Sequence, residues 1–276
     1  MLVERIITGI TFGLIILLGI FYLSPVGFDL LSLVIATLAA WEFLGLFNKW
    51  DYQKRVGFLV LFVLTLMITQ FLPALPILLI GVLWWLTAPY FMWRYTVNGY
   101  NYFANMIWQG LLAAVIFIPC WTGLVIINGR FGKGFLLYLL VIVCVTDIGA
   151  YFTGKLWGKH LLAPAISPKK TVEGLLGGIL TALLVAIAGV FLLKSAIVKP
   201  SVMGFDFSPL KNISLVMLSL VTCLWSVIGD LFESMLKRLA GVKDSGKILP
   251  GHGGMYDRID SLTSAIPIFA LGLLLI

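Results

Sequence analysis

Charge is scarce in this sequence. Only 11% of its 276 residues are Asp, Glu, Lys or Arg, against about 25% in a soluble domain. Hydrophobic residues make up 61%, and mean hydropathy is +1.08. A water-soluble globule could not cover itself with so few polar side chains, so a soluble enzyme, a secreted domain and a disordered tail are all excluded. Cysteine is scarce too. Cys120, Cys144 and Cys223 lie in apolar runs without metal spacing, so they read as small buried hydrophobes, not a disulfide framework. There is no internal repeat and no low-complexity tract, which weighs against inverted-repeat transporter folds. The apolar runs are continuous where a membrane β-barrel would alternate.

What is present is apolar runs of membrane-spanning length. Nine are expected as helices, at roughly 5–23, 27–47, 56–72, 74–93, 105–127, 134–153, 174–193, 212–232 and 261–276. The fold expected is an all-α polytopic bundle forming one integral-membrane unit over 1–276. Residues 1–130 would supply N-terminal spans, and 131–276 the spans and loops that carry the chemistry. The first run is long, lacks a small-residue cleavage pattern and is followed at once by another span, so it is expected to be a span and not a signal peptide.

With nine spans, fourteen of the nineteen Lys and Arg residues fall on the side of the N-terminus. Only Arg130, Lys133, Lys194, Lys199 and Lys211 fall on the other. This asymmetry predicts a cytoplasmic N-terminus and cytoplasmic loops after the even-numbered spans. The net charge of +7 suits loops facing anionic lipid, or an anionic substrate. Nucleic acid is not expected as a partner, because no soluble basic face exists to present.

Charge concentrates in two cytoplasmic stretches, 154–173 and 231–260. The second holds nine charged residues in thirty. On a helix Asp230, Glu233, Ser234 and Lys237 would share one face. Asp230 directly follows an apolar run, where a carboxylate is costly unless paired or bound to a cation. Asp257 and Asp260 stand three apart at the start of the last span. Between these pairs Gly251, Gly253 and Gly254 permit positive φ and would let backbone N–H groups converge on an anion. Lys237, Arg238, Lys243 and Lys247 are donors for phosphate oxygens. Carboxylate pairs suit Mg²⁺, which keeps waters and shares substrate phosphates. Together these features predict a metal-plus-lysine site for a polyphosphate.

In the first stretch Asp147 lies inside an apolar span. Lys155 and Lys159 are spaced as a cationic stripe on the same helix. Ser167-Pro168 reads as a turn, Lys169-Lys170 adds cations, and Thr171 is placed to cap the helix beginning near Gly174. The Gly-x-x-x-x-Gly-Lys-[Ser/Thr] pattern of a P-loop is absent. His252, between two glycines of the charged array, is a candidate functional histidine. Glu42, beside Trp41 in the second span, would have to be buried and paired.

Two segments resemble one known family. They are Ser234-x-x-Lys237-Arg238-x-x-x-x-Lys243-Asp244-x-Gly246-x-x-Leu249-Pro250-Gly251-His252-Gly253-Gly254-x-x-Asp257-Arg258-x-Asp260, and Asp147-x-Gly149-Ala150-Tyr151 continuing through Gly158-Lys159-His160 to Ser167-Pro168-x-Lys170-Thr171-x-Glu173-Gly174. Both are similar to the signature of the phosphatidate cytidylyltransferase (CDP-diacylglycerol synthase) family. Ile148 departs mildly from a smaller residue common in bacterial relatives.

The resemblance implies a nucleotidyltransferase of the bacterial inner membrane, with its site facing the cytoplasm. CTP and phosphatidic acid would give CDP-diacylglycerol and pyrophosphate, with Mg²⁺, and with K⁺ as a candidate second ion. On that footing Asp230 and Asp257 are expected to bind metal, with Asp147 and Asp260 as supporting carboxylates. Lys237, Arg238, Lys243, Asp244, His252 and Arg258 complete the catalytic set. Lys155, Lys159, Ser167, Lys169, Lys170, Thr171, Ser234, Lys247, Gly251, Gly253 and Gly254 would bind substrate. Acyl chains would enter sideways between spans, and a homodimer is a candidate assembly. The rival from another class is a membrane transporter of phosphorylated anionic solutes, which should place its charges near the bilayer midplane. CDP-alcohol phosphotransferases are disfavoured by the missing Asp-Gly-x-x-Ala-Arg.

Overall fold

In a computed structural model the chain is described at residues 2–47, 49–99, 101–195, 205–249, 251 and 253–276, with backbone alone for residues 2–6. Among these residues the elements are α1 (Leu2–Tyr22), α2 (Pro25–Gly45), α3 (Tyr52–Thr69), α4 (Ala74–Asn98) and α5 (Met106–Ile126). A π-helical turn (Ile127–Phe131) leads to α6 (Lys133–Trp157), a hairpin of β1 (Leu161–Ala163) and β2 (Ser167–Thr171), α7 (Val172–Lys194), α8 (Pro209–Leu239) and α9 (Tyr256–Leu275). Eight helices are long and apolar enough to cross a membrane, and α1 adds the apolar stretch Ile7–Tyr22. Its expected polytopic all-helical character is therefore present, with a small hairpin added.

Helix starts follow local chemistry. Ser24 accepts a hydrogen bond from Gly27 N–H and precedes Pro25, whose fixed φ suits the first helical position. Asp51 caps α3 by accepting from Lys54 N–H at 2.9 Å. Thr171 caps α7, accepting from Gly174 N–H at 3.1 Å, as its spacing predicted. The outer surface is apolar: Leu61, Leu83, Leu180 and Leu184 are 58–65% exposed, which suits lipid and not water.

Three expectations are corrected. The site-bearing helices outlast their apolar runs: α6 continues to Trp157, α8 to Leu239, and α9 begins at Tyr256. Hydropathy ends where charge begins, but i→i−4 hydrogen bonding does not. Ser167-Pro168 is strand, not turn; the chain reverses at 164–166, where Ile166 N–H donates to Ala163 O at 3.0 Å. The stripe of Lys155 and Lys159 does not form, because Gly158 leaves helical geometry (ψ 121°) and Lys159 lies beyond the end of α6.

Glycine sets how closely the helices around the polar end approach. A Cβ on Gly177 would strike Thr153, and one on Gly178 would come within 2.8 Å of Thr146 O, so α6 and α7 pack backbone to backbone. Gly229 does the same for α8 and α9, where an added Cβ would stand 2.7 Å from Asp260 O. Asp230 follows Gly229, so this contact brings the first carboxylate pair beside the second. The polar end rests on an aromatic floor. Tyr256 is wholly buried, with its ring 5.7 Å from Phe43 and 5.4 Å from Phe117.

Candidate active site

The polar residues of α6, β2, α8, α9 and the 240–255 loop meet at one end of the bundle, with α2 reaching in from the side. On α8, Asp230, Glu233, Ser234 and Lys237 do share a face. Ser234 Oγ stands 3.4 Å from Asp230 Oδ1, and Lys237 Nζ stands 2.5 Å from Glu233 Oε2. Glu233 is wholly buried and its Oε1 has no hydrogen-bond partner. The same lysine donates to Asp257 Oδ1 at 2.7 Å, tying α8 to the first turn of α9. Lys170 of β2 crosses to Asp230 Oδ2 at 2.5 Å, tying the hairpin to α8.

Asp257 is the most thoroughly held group. Its Oδ2 accepts from Ser245 N–H, Ser245 Oγ–H and Gly254 N–H, each at 2.8 Å. Three donors on one oxygen, with a lysine on the other, fix the carboxylate's position. The expected anion nest is therefore modified. Gly251 and Gly253 have positive φ (75° and 83°), but Gly254 does not, and its N–H serves the chain's own Asp257.

Glu42 enters this loop from α2. It is 4% exposed and accepts from Tyr256 N–H at 3.1 Å through Oε2, while its Oε1 is buried without a hydrogen-bond partner, within electrostatic reach of the Ile248 and Met255 N–H groups. Gly246 and Gly254 lie so close that a Cβ on either would strike its carboxylate. Sequence reading left Glu42 outside the site, although a lone acid in an apolar span was the signal. Ser245 carried no signal at all, since its role depends on a contact twelve residues away. Glu173 was visible only within the resembling motif. It accepts from Lys159 N–H and His160 N–H at 3.0 and 3.2 Å and pairs with His160 Nδ1 at 2.7 Å, closing the hairpin onto α7.

The remaining expected residues are less gathered. Asp147 is exposed on α6 and lies within electrostatic reach of Asp230 and Lys170, while Asp260 lies within reach of Asp230. Arg238 Nε donates to Ile166 O at 3.2 Å and so anchors the hairpin. Thr171 Oγ is used in capping, and Lys155 lies over the Tyr151 ring at 5.7 Å. Ser167 and Lys169 lie within β2 and Lys159 just ahead of β1; Lys243, Asp244 and Lys247 stand exposed on the loop, and Arg258 is exposed on α9. His252, Pro250 and Lys199 lie outside the described residues.

Among the described residues no three His, Cys, Asp or Glu side chains form a ready-made metal cage. The donor set nevertheless fits a hard, water-keeping cation. Asp147, Asp230, Glu233, Asp257 and Asp260 outnumber Lys170, Lys237 and the adjoining Arg258, and Glu233 presents an orphaned buried oxygen. Mg²⁺ is commonly held by one or two carboxylates together with substrate phosphates, so a full protein cage is not required. Asp257 has oxygens to offer only by sharing or releasing its present donors.

Fold and site define an integral-membrane enzyme whose polar centre lies at one end of a helical bundle. The chain belongs to the Cytidylyltransferase family, whose pattern it matches over residues 3–276. It is 36% identical to the phosphatidate cytidylyltransferase of Pseudomonas aeruginosa, over 98% of this chain and 96% of that one. It is 34% identical to the Haemophilus influenzae protein of the same name, over 98% of both chains. A Staphylococcus haemolyticus phosphatidate cytidylyltransferase is 40% identical over 66% of this chain and 64% of its own.

Proposed function

We propose that this chain converts CTP and phosphatidic acid into CDP-diacylglycerol and pyrophosphate. A lipid phosphate oxygen attacks the α-phosphorus of CTP in line; the bond to the β-phosphate breaks and pyrophosphate leaves. The observation that carries this reading is the clustering of carboxylates at one end of the bundle, Asp230 paired with Lys170, and Glu233 and Asp257 bridged by Lys237. Such a centre must take up a further cation before it can accept anions.

Asp230, with Asp147 and Asp260 around it, would hold Mg²⁺, and Asp257 would join by giving up Lys237. K⁺ is the second ion of this proposal. The chemistry a bound divalent cation supplies here is neutralisation of the triphosphate and of the leaving pyrophosphate. The chain's own residues do the rest. Lys237 and Ser245 hold the acids in place. Lys243, Lys247, Lys159 and Lys169 would supply donors for phosphate oxygens. Arg258 would meet the lipid phosphate. Of the nineteen Lys and Arg residues, the fourteen on the N-terminal side support a site facing the cytoplasm across the inner membrane.

Purified protein in detergent, given labelled CTP, phosphatidic acid and Mg²⁺, is expected to release liponucleotide and pyrophosphate in equal amounts. Chelation should stop it. No turnover from folded protein, together with uptake of a phosphorylated solute into vesicles, would overturn the proposal in favour of a transporter.

A further inference from the structure

Beneath α1 lies a cavity of about 520 Å³, walled by α1, α2, α5, α6 and α9. Its lining is almost wholly apolar, and Arg258 is the one charged side chain among the lining residues. Along α6 the lining runs from Leu136 to Val145, and along α9 from Arg258 to Ile266, a depth of about 13 Å at 1.5 Å per residue. Gly13 opens onto empty space, since a Cβ there would meet nothing within 4 Å. Ser32, one of the few polar liners, already donates to Asp29 O at 2.8 Å.

We propose that this cavity receives one acyl chain of the lipid substrate, with Arg258 at its mouth meeting the anionic headgroup. The inference rests on the functional reading above and deepens it by locating the lipid tail. Three observations select this occupant. The volume of about 520 Å³ falls within the roughly 300–1,000 Å³ of small-molecule sites. Away from Arg258 its walls offer little for a polar ligand to hydrogen-bond, and water gains little there. Its charged end is continuous with the catalytic end: Arg258 adjoins Asp257, and Cys144 at the rim stands one helical turn from Asp147. An anionic head with a single linear apolar tail matches that polarity from end to end.

Gly13→Phe would fill the cavity from α1 without a steric clash at its base. The ratio of kcat/KM for dioleoyl over dihexanoyl phosphatidate is expected to fall about tenfold, as burial of roughly two methylenes is lost. An unchanged ratio would overturn the proposal. A second measurement uses the unaltered chain and does not depend on turnover. A phosphatidate carrying a diazirine midway along one chain should label residues within 136–145 or 258–266. Unlabelled phosphatidate should suppress the labelling and phosphatidylcholine should not. Adducts confined to the outer faces of α3 and α4, or equal suppression by phosphatidylcholine, would refute it. Failure of the unaltered chain to turn over either lipid would strike at the functional reading instead, and the labelling result would still decide the cavity.

Discussion

Glu42→Gln tests the loop-holding role of a carboxylate in the second span. The substitution keeps side-chain volume and one carbonyl oxygen, so Tyr256 N–H, now 3.1 Å from Oε2, retains an acceptor. The other oxygen, Oε1, is buried without a hydrogen-bond partner, near the backbone N–H groups of Ile248 and Met255; it becomes a buried NH₂ group beside those donors. A hydrogen bond to a charged acceptor contributes about 1.5–3 kcal/mol, and a buried donor left facing a donor costs about 1–3 kcal/mol. With one bond kept in weakened form, the loss is about 2–4 kcal/mol, felt in the 245–256 segment that positions Asp257. At about 1.4 kcal/mol per tenfold, even half of that loss expressed in catalysis lowers kcat/KM for CTP about tenfold. Thermal unfolding in detergent should shift down by about 5 °C or more. Wild-type kcat/KM together with a wild-type Tm would refute the reasoning, because it would mean that Glu42 holds nothing.

Lys237→Met removes the cation shared by Glu233 and Asp257, whose side chains are 0% and 8% exposed. Stranding buried acids costs about 3–5 kcal/mol, so a sharply lowered Tm is expected, and an unchanged one would contradict the bridge. Gly254→Ala drives a Cβ into the Glu42 carboxylate and Ser245 Oγ, so liponucleotide formation should fall at least about tenfold. Equal activity would mean that the loop gives way freely. Lys170→Met deprives Asp230 of a cation at 2.5 Å in a partly exposed setting. The acids then attract Mg²⁺ more strongly, and the Mg²⁺ concentration for half-maximal rate should fall about fivefold, a screened fraction of the Coulomb attraction at that range. A raised or unchanged requirement would oppose the assignment of Asp230.

The helices were legible because a span of about 20 apolar residues has no other stable fate in lipid. Their ends were not. The eighth span is expected to end near residue 232, where charge follows an apolar run, yet backbone hydrogen bonding carries α8 through Leu239. The hairpin 161–171 was hidden for a related reason. Its strands are three and five residues long, with Pro168 inside the second, too short for alternation to show. Proline marked a turn at the wrong place, since Pro164 sits at the reversal and Pro168 in the strand.

In the candidate site, residue types were legible and partners were not. Asp230, Lys237 and Asp257 could be named from their positions beside apolar runs, but pairing depends on separations of 60 residues for Lys170 with Asp230 and 214 for Glu42 with Tyr256. Local spacing cannot encode contacts of that range; helix packing creates them. Gly229 allows α8 to touch α9, and only then do Asp230 and Asp260 become neighbours. The energetic logic joins the two levels. Each acid near lipid is costly alone, so the chain meets the cost with backbone N–H groups at Asp257 and Glu42 and with lysines at Asp230 and Glu233. Asp147 and Asp260 are less fully compensated, and they flank Asp230. The unmet negative charge is therefore concentrated around Asp230, where an added cation would gain most.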